Sequence, residues 1–258
     1  MTKDTQHTEM NRREFLGKTL AAATAAVAAP GVLIGVADAT GSSAGASANK
    51  RWGLLIDTNK CADGCTACVD ACSQENGIDL VQKPAGHSDA MWEQQRPQWI
   101  RKVTVRDRQT GVVTNLPLMC QHCEHPPCVD VCPTGASFKR VDGIVMVDRH
   151  ICIGCRYCMI PCPYKARSFI HQEVAEQVVK SPRGKGCVES CNLCANRIDA
   201  GATTTACAEA CAKAGHNAIL FGDLKDPNSP LAKALKTVHS GQIRADLRLN
   251  TGVRYTNL

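Results

Sequence analysis

The sequence predicts an α+β fold held together by metal-bound cysteines rather than by a large apolar core, and three observations predict it. The 258 residues hold 17 cysteines but only 4 Phe, 3 Trp and 3 Tyr, so sulfur ligands are abundant where aromatic packing is scarce. All but one of those cysteines fall in four compact runs rather than at the scattered positions of a disulfide framework, and an odd total cannot pair completely. Between the runs, short apolar stretches alternate with turn residues, the pattern of short strands. Charged residues at 21% and hydrophobic residues at 44% exclude a mainly disordered chain, and the length suits one or two domains.

At the amino terminus, Arg12 and Arg13 precede Phe15 and Leu16, and an Ala-rich apolar stretch follows over residues 19–37. This order reads as a twin-arginine export signal over residues 1–39, with Ala37-Asp38-Ala39 as a small-residue cleavage site and Ala46-Ser47-Ala48 as a second. An amphipathic helix is disfavoured by the missing polar face and by Pro30-Gly31, and the Ala and Thr content makes a poor membrane anchor. Residues 40–50, rich in Gly, Ser and Ala, read as a flexible linker, so the folded body is expected from Arg51. Losing residues 1–39 removes four basic and four acidic side chains and leaves the net charge at +6. That balance favours acidic protein partners. No basic run or aromatic platform points to nucleic acid.

Residues 52–57 form an apolar run expected as a strand leading to the first cysteine run, 141–147 lead to the third, and 218–221 follow the fourth. Residues 99–106 and 111–118 flank the turn at 107–110 as an inserted hairpin. Ser229 and Pro230 open a C-terminal helix with Leu231, Leu235 and Val238 at helical spacing. The extension over residues 237–258 reads as extended chain.

The runs themselves carry the chemistry. They are Cys61-x3-Cys65-x2-Cys68-x3-Cys72, Cys120-x2-Cys123-x4-Cys128-x3-Cys132-Pro133, Cys152-x2-Cys155-x2-Cys158-x3-Cys162-Pro163, and Cys191-x2-Cys194-x12-Cys207-x3-Cys211. The third matches the bacterial ferredoxin run, in which three cysteines hold one 4Fe-4S cluster and the fourth reaches the other cluster of the pair. A cubane needs thiolates from several directions, so a short loop supplies three and the fourth points away to a neighbour. Zinc is the alternative, since paired C-x2-C units also make zinc ribbons, and the x12 gap leaves it most open for the fourth run. Three-plus-one grouping repeated four times fits cubanes. Cys187 is left over; it follows the turn-rich basic stretch Ser181-Pro182-Arg183-Gly184-Lys185-Gly186, which reads as an exposed loop and a non-ligand thiol. Its x3 spacing to Cys191 repeats that of the first run, so exchange with a fourth-run ligand stays open.

Nothing points to a bond-making site: there is no nucleophile elbow, phosphate loop or haem-attachment motif, and no catalytic residue is assigned. The eight histidines lack ligand spacing. His122 and His125, inside the second run, either tune a cluster through hydrogen bonds or sit in a solvated loop, and the reading favours the loop. Lys139, Arg149, Arg156, Lys165 and Arg167 lie near the second and third runs, where positive charge would raise a reduction potential or be merely solvated.

From about Arg51 to Lys236 the chain resembles the four-cluster ferredoxin-like subunits of bacterial respiratory oxidoreductases that serve nitrite, polysulfide, tetrathionate and formate enzymes. The resemblance rests on the second and third runs with their prolines, the long-gapped fourth run, and Phe221-Gly222-Asp223-Leu224-Lys225-Asp226-Pro227-Asn228-Ser229. The x3 in the first run departs from the family's usual x2. The resemblance implies two pseudosymmetric bacterial ferredoxin-like modules and four 4Fe-4S clusters. It implies ligation by Cys61, Cys65, Cys68 and Cys211; by Cys120, Cys123, Cys128 and Cys162; by Cys152, Cys155, Cys158 and Cys132; and by Cys191, Cys194, Cys207 and Cys72. The export signal, the x3 opening and the closing Gly252-Val253-Arg254-Tyr255-Thr256-Asn257-Leu258 narrow it to the periplasmic iron-sulfur subunits of dissimilatory sulfur-metabolism membrane complexes. The partners then implied are an integral membrane quinone-interacting subunit and a multihaem cytochrome subunit. The alternative is the electron-transfer subunit of a molybdopterin polysulfide, tetrathionate or nitrite reductase.

Overall fold

The computed structural model describes residues 45–178 and 180–258, so the expected export signal and the expected cleavage site at Ala39 lie outside the described residues. In chain order the first elements are β1 (Trp52–Asp57), α1 (Ala67–Asn76), α2 (Asp89–Gln95), β2 (Ile100–Arg106), β3 (Val113–Met119) and α3 (Pro127–Asp130). There follow β4 (Ser137–Lys139), β5 (Val145–Val147), β6 (Ser168–Phe169), β7 (Val188–Glu189) and α4 (Ala195–Asp199). The chain ends with α5 (Ala206–Lys213), β8 (Ile219–Asp223), α6 (Pro230–Thr237) and β9 (Val253–Thr256). Among the described residues no helix is long and apolar enough to cross a membrane.

The helices exist to aim cysteines. α1 carries Cys68 and Cys72, ends at Gly77 in the left-handed conformation, and packs against α5, which carries Cys207 and Cys211. Thr205 caps α5 by accepting the Ala208 amide, fixing where Cys207 begins its turn. In the other half, α3 carries Cys128 and packs against a 3-10 turn, Tyr157–Met159, that carries Cys158. Strands are short because little apolar surface is available. β4 pairs antiparallel with β5 and β6 with β7, while the hairpin β2–β3 stands between the halves where the sequence places it.

Two strand expectations need correction. Residues 141–147 form a strand only at β5, because Arg140 pairs with buried Asp142 and Gly143, at φ +85, closes a turn onto Arg140. The extension over 237–258 is not free extended chain: β9 runs parallel to β1 in the sheet β8-β1-β9, and Val253 and Tyr255 are wholly buried. Burial of a side chain such as Val253 contributes roughly 1.5–3 kcal/mol. The tail also clasps the second cysteine loop, since Gly252 donates its amide to the Gln121 carbonyl and Glu124 donates to Leu249. Tyr255 locks the crossing, its hydroxyl donating to the Pro117 carbonyl at 3.1 Å and accepting from Gln121 Nε2 at 3.0 Å.

Candidate metal centres

All four cysteine loops share one backbone device. The residue before the second cysteine of each run has a positive φ: Gly64 at +68, His122 at +45, Gly154 at +69 and Leu193 at +50. Such a residue turns the chain sharply, and at His122 and Leu193 it costs roughly 1–2 kcal/mol that the surroundings must hold in place. At Gly154 a side chain is impossible for a second reason, because its Cβ would lie 2.1 Å from the Gly186 carbonyl oxygen. The extra residue of the first run falls ahead of this kink. Gly64-Cys65-x2-Cys68 therefore repeats Gly154-Cys155-x2-Cys158.

Thiols of one run gather with the last cysteine of another run. Cys61, Cys65 and Cys68 line one small hollow together with Cys211, and Cys152, Cys155 and Cys158 line another together with Cys132. Cys120 and Cys123 lie within electrostatic reach of Cys128 and of Cys162. Cys72 lies within reach of Cys207 and Cys194, and Cys191 faces Cys72. The x12 gap of the fourth run is filled by α4 and the turn that returns the chain to Thr205, so the gap adds a loop without separating the thiols. Neighbouring quartets lie within electrostatic reach of one another in a row: Cys68 of Cys72, Cys120 of Cys191, and Cys128 of Cys158. Every cysteine of the Cys191 quartet is buried, whereas the row's ends open outward at half-buried Cys61 and Cys65 and at Cys155, the one exposed cysteine.

The donor set fits a cluster rather than a single ion. Among the described residues, no three His, Cys, Asp or Glu side chains converge closely enough to hold one metal ion. Burial pushes Cys68 and Cys158 up to about 11 and Cys120, Cys123 and Cys207 up to about 12, so these sulfurs become thiolates only where bound metal supplies compensating positive charge. Amide donors point at the fourth sulfurs as well: Ser137 N to Cys132 at 3.3 Å, Ala166 N to Cys162 at 3.5 Å, and Ala218 N to Cys211 at 3.2 Å. N–H groups aimed at sulfur are one of the means by which proteins set cluster potentials.

Of the basic residues named from the sequence, one reaches a thiol. Arg167 Nη2 donates to Cys128 Sγ at 3.0 Å and to Ser137 Oγ at 2.8 Å. Lys139 pairs with Glu124, Arg149 with Glu189, Arg156 stacks over Phe169, and Lys165 is exposed. Lys102, which no sequence motif singles out, also reaches one. It sits on β2 and donates to Cys61 Sγ at 3.1 Å and to the Ala62 carbonyl at 2.9 Å, which gives the inserted hairpin a purpose. His122 does not occupy a solvated loop: it is 1% exposed, and its Nδ1 accepts the Val145 amide at 3.0 Å. Burial, with Arg167 nearby, lowers it to about 3, so the ring is neutral and its proton sits on Nε2, which has no acceptor among the described residues.

Cys187 is not exposed, against the expectation from its loop. It is buried, donates to the Arg149 carbonyl at 3.3 Å, and neighbours Cys152 rather than the fourth-run thiols. That position offers no exchange with Cys191 or Cys194. Cys187→Ser is expected to retain full iron content and all four paramagnetic cluster signals; loss of any one signal would make Cys187 a ligand.

Residues 60–136 and residues 111–223 each match a 4Fe-4S dicluster domain family. The chain is 37% identical over 270 residues to Hdr-like menaquinol oxidoreductase iron-sulfur subunit 1 of Archaeoglobus fulgidus, covering 96% of this chain and 98% of that protein. It is 37% identical over 196 residues to a tetrathionate reductase subunit of Salmonella typhimurium, covering 73% and 64% respectively. It is 35% identical over 193 residues to protein NrfC of Escherichia coli, covering 72% and 71%. With two dicluster domains and cysteines enough for four 4Fe-4S clusters, the chain belongs to the iron-sulfur electron-transfer subunits of respiratory oxidoreductases.

Proposed function

We propose that this chain is the periplasmic iron-sulfur subunit of a sulfur-metabolism membrane complex, most like DsrO of the DsrMKJOP complex. It relays single electrons between an integral membrane quinone-interacting subunit and a multihaem cytochrome subunit. One observation carries the reading: four thiol quartets lie within electrostatic reach of one another in a row whose interior thiols, Cys162 apart, are buried and whose two ends, at Cys61–Cys65 and at Cys155, open to the surface. Each quartet holds one cluster, which supplies reversible one-electron storage when bound. The chain's own residues do the rest. They exclude water from the inner quartets, aim amides at the sulfurs and leave two outlets for partners.

The similarity over 98% of a protein named as a menaquinol oxidoreductase subunit supports the quinone-linked reading over that of a molybdopterin reductase subunit, whose tetrathionate relative is matched over 64% of its length. Purification from membranes tests the choice. The proposal expects a quinone-interacting and a haem-carrying subunit to come with the chain, and cluster signals to develop when a menaquinol analogue is added. A molybdopterin subunit in place of the haem protein would transfer the assignment to the second reading.

Export follows from Arg12 and Arg13, because the twin-arginine route carries proteins already folded around their clusters. Arg12→Lys with Arg13→Lys is expected to leave a cluster-loaded precursor in the cytoplasm, read by cell fractionation and the iron content of each fraction. Undiminished periplasmic protein in the double variant would exclude that route.

A further inference from the structure

Resting on the ligand sets proposed above, we propose that Arg167 is a positioning residue that raises the reduction potential of the cluster in the Cys120 quartet and makes that cluster the favoured resting place for an electron in the row. Among the described residues, Arg167 and Arg183 are the two buried arginines, at 6% and 7% exposure. Arg183 is neutralised by Glu189 at 3.0 Å, whereas no described carboxylate lies within salt-bridge distance of Arg167. A buried cation without a counter-charge is strongly unfavourable, so its partner must be another anionic group.

The thiols supply that group. Beyond the bond to Cys128, the guanidinium lies within electrostatic reach of Cys120 and of Cys158, so it sits at the junction of the Cys120 and Cys152 quartets. Its Nη1 is buried with no acceptor among the described residues, as is His122 Nε2 beside it. Two orphan donors at one quartet point to a sulfur-rich, negatively charged acceptor there. Reduction adds one negative charge to such a group, and a fixed buried cation stabilises the added charge more than the ground state. Lys102 does the same at Cys61 more weakly, because it is partly exposed and screened. The Cys191 quartet has no cation donating to its sulfurs among the described residues.

Redox titration of the purified four-cluster protein, followed by paramagnetic resonance, tests this. Arg167→Met and Arg167→Gln both delete the charge, and Met does so without burying a new polar group. Each is expected to keep full iron content while one cluster signal moves to lower potential, a second moves less, and two stay in place. The moved signal is the one that Cys162→Ser abolishes. Arg167→Lys restores the charge and is expected to return most of the shift. Unmoved potentials in a fully loaded Met variant would overturn the proposal. So would a Lys variant displaced as far as Met, or loss of iron from all three variants, which would assign Arg167 a structural role. A wild-type protein without four cluster signals would overturn the ligand sets themselves.

Discussion

Replacing Cys162 by Ser is expected to remove the cluster of the Cys120 run and to spare the cluster of the run in which Cys162 stands. Iron falls from about 16 to about 12 atoms per chain, since each 4Fe-4S cluster carries four. Sequence proximity alone says the opposite, because Cys162 lies four residues from Cys158 and 34 from Cys128. The proposed cross-pairing favours the distant partner. Cys120 and Cys123 both have Cys162 within electrostatic reach, whereas the void lined by Cys152, Cys155 and Cys158 is closed by Cys132. The Ala166 amide at 3.5 Å from Cys162 Sγ would remain to solvate a serine hydroxyl, so the backbone there has no reason to move. A serine hydroxyl is a poorer ligand than a thiolate, and the quartet it completes is otherwise buried apart from Cys162 itself. Cys132→Ser is the mirror experiment and should empty the Cys152 void. Loss confined to the Cys152 cluster in the Cys162 variant would contradict the cross-pairing.

What is legible in the sequence is local. Cysteine spacing announces the thiol loops, residues 107–110 announce a hairpin turn, and Ser229-Pro230 announces a helix start that the structure places at Pro230–Thr237. What is not legible depends on partners far away along the chain. Lys102 is 41 residues from Cys61, and nothing in a β-strand of alternating character says that one of its lysines will meet a sulfur. His122 sits among polar neighbours, so its burial follows only once Val145 and the tail are known to close over it. Cys187 follows Gly and Pro residues that signal exposure, yet the Arg149 carbonyl covers it. The tail does show alternation at Val253 and Tyr255, but the strand it joins lies 199 residues earlier in register. The positive φ at His122 and Leu193 has no residue-type signal either, since neither is glycine.

Stripping the iron is expected to unfold the chain rather than to leave an empty scaffold. Eleven of the 17 cysteines are buried, and most belong to the same apolar cluster as Leu54, Ile56, Trp99 and Tyr255. Without clusters those thiols line voids, and packed neighbours lose their contacts across each one. Arg167 loses the anionic partners proposed for it, and breaking a buried charge pair costs roughly 3–5 kcal/mol on its own. Against this stands a total stability of about 5–15 kcal/mol for a typical domain. The remaining structure cannot compensate, because β6 and β7 have two residues each and α3 has four, too short to persist alone. Chelation under reducing conditions should therefore abolish the cooperative thermal transition and most of the far-ultraviolet helical signal, with refolding only when iron and sulfide are returned. An iron-free chain that still melts cooperatively with native helix content would show that the apolar core around β1 and β9 holds the fold without its metal.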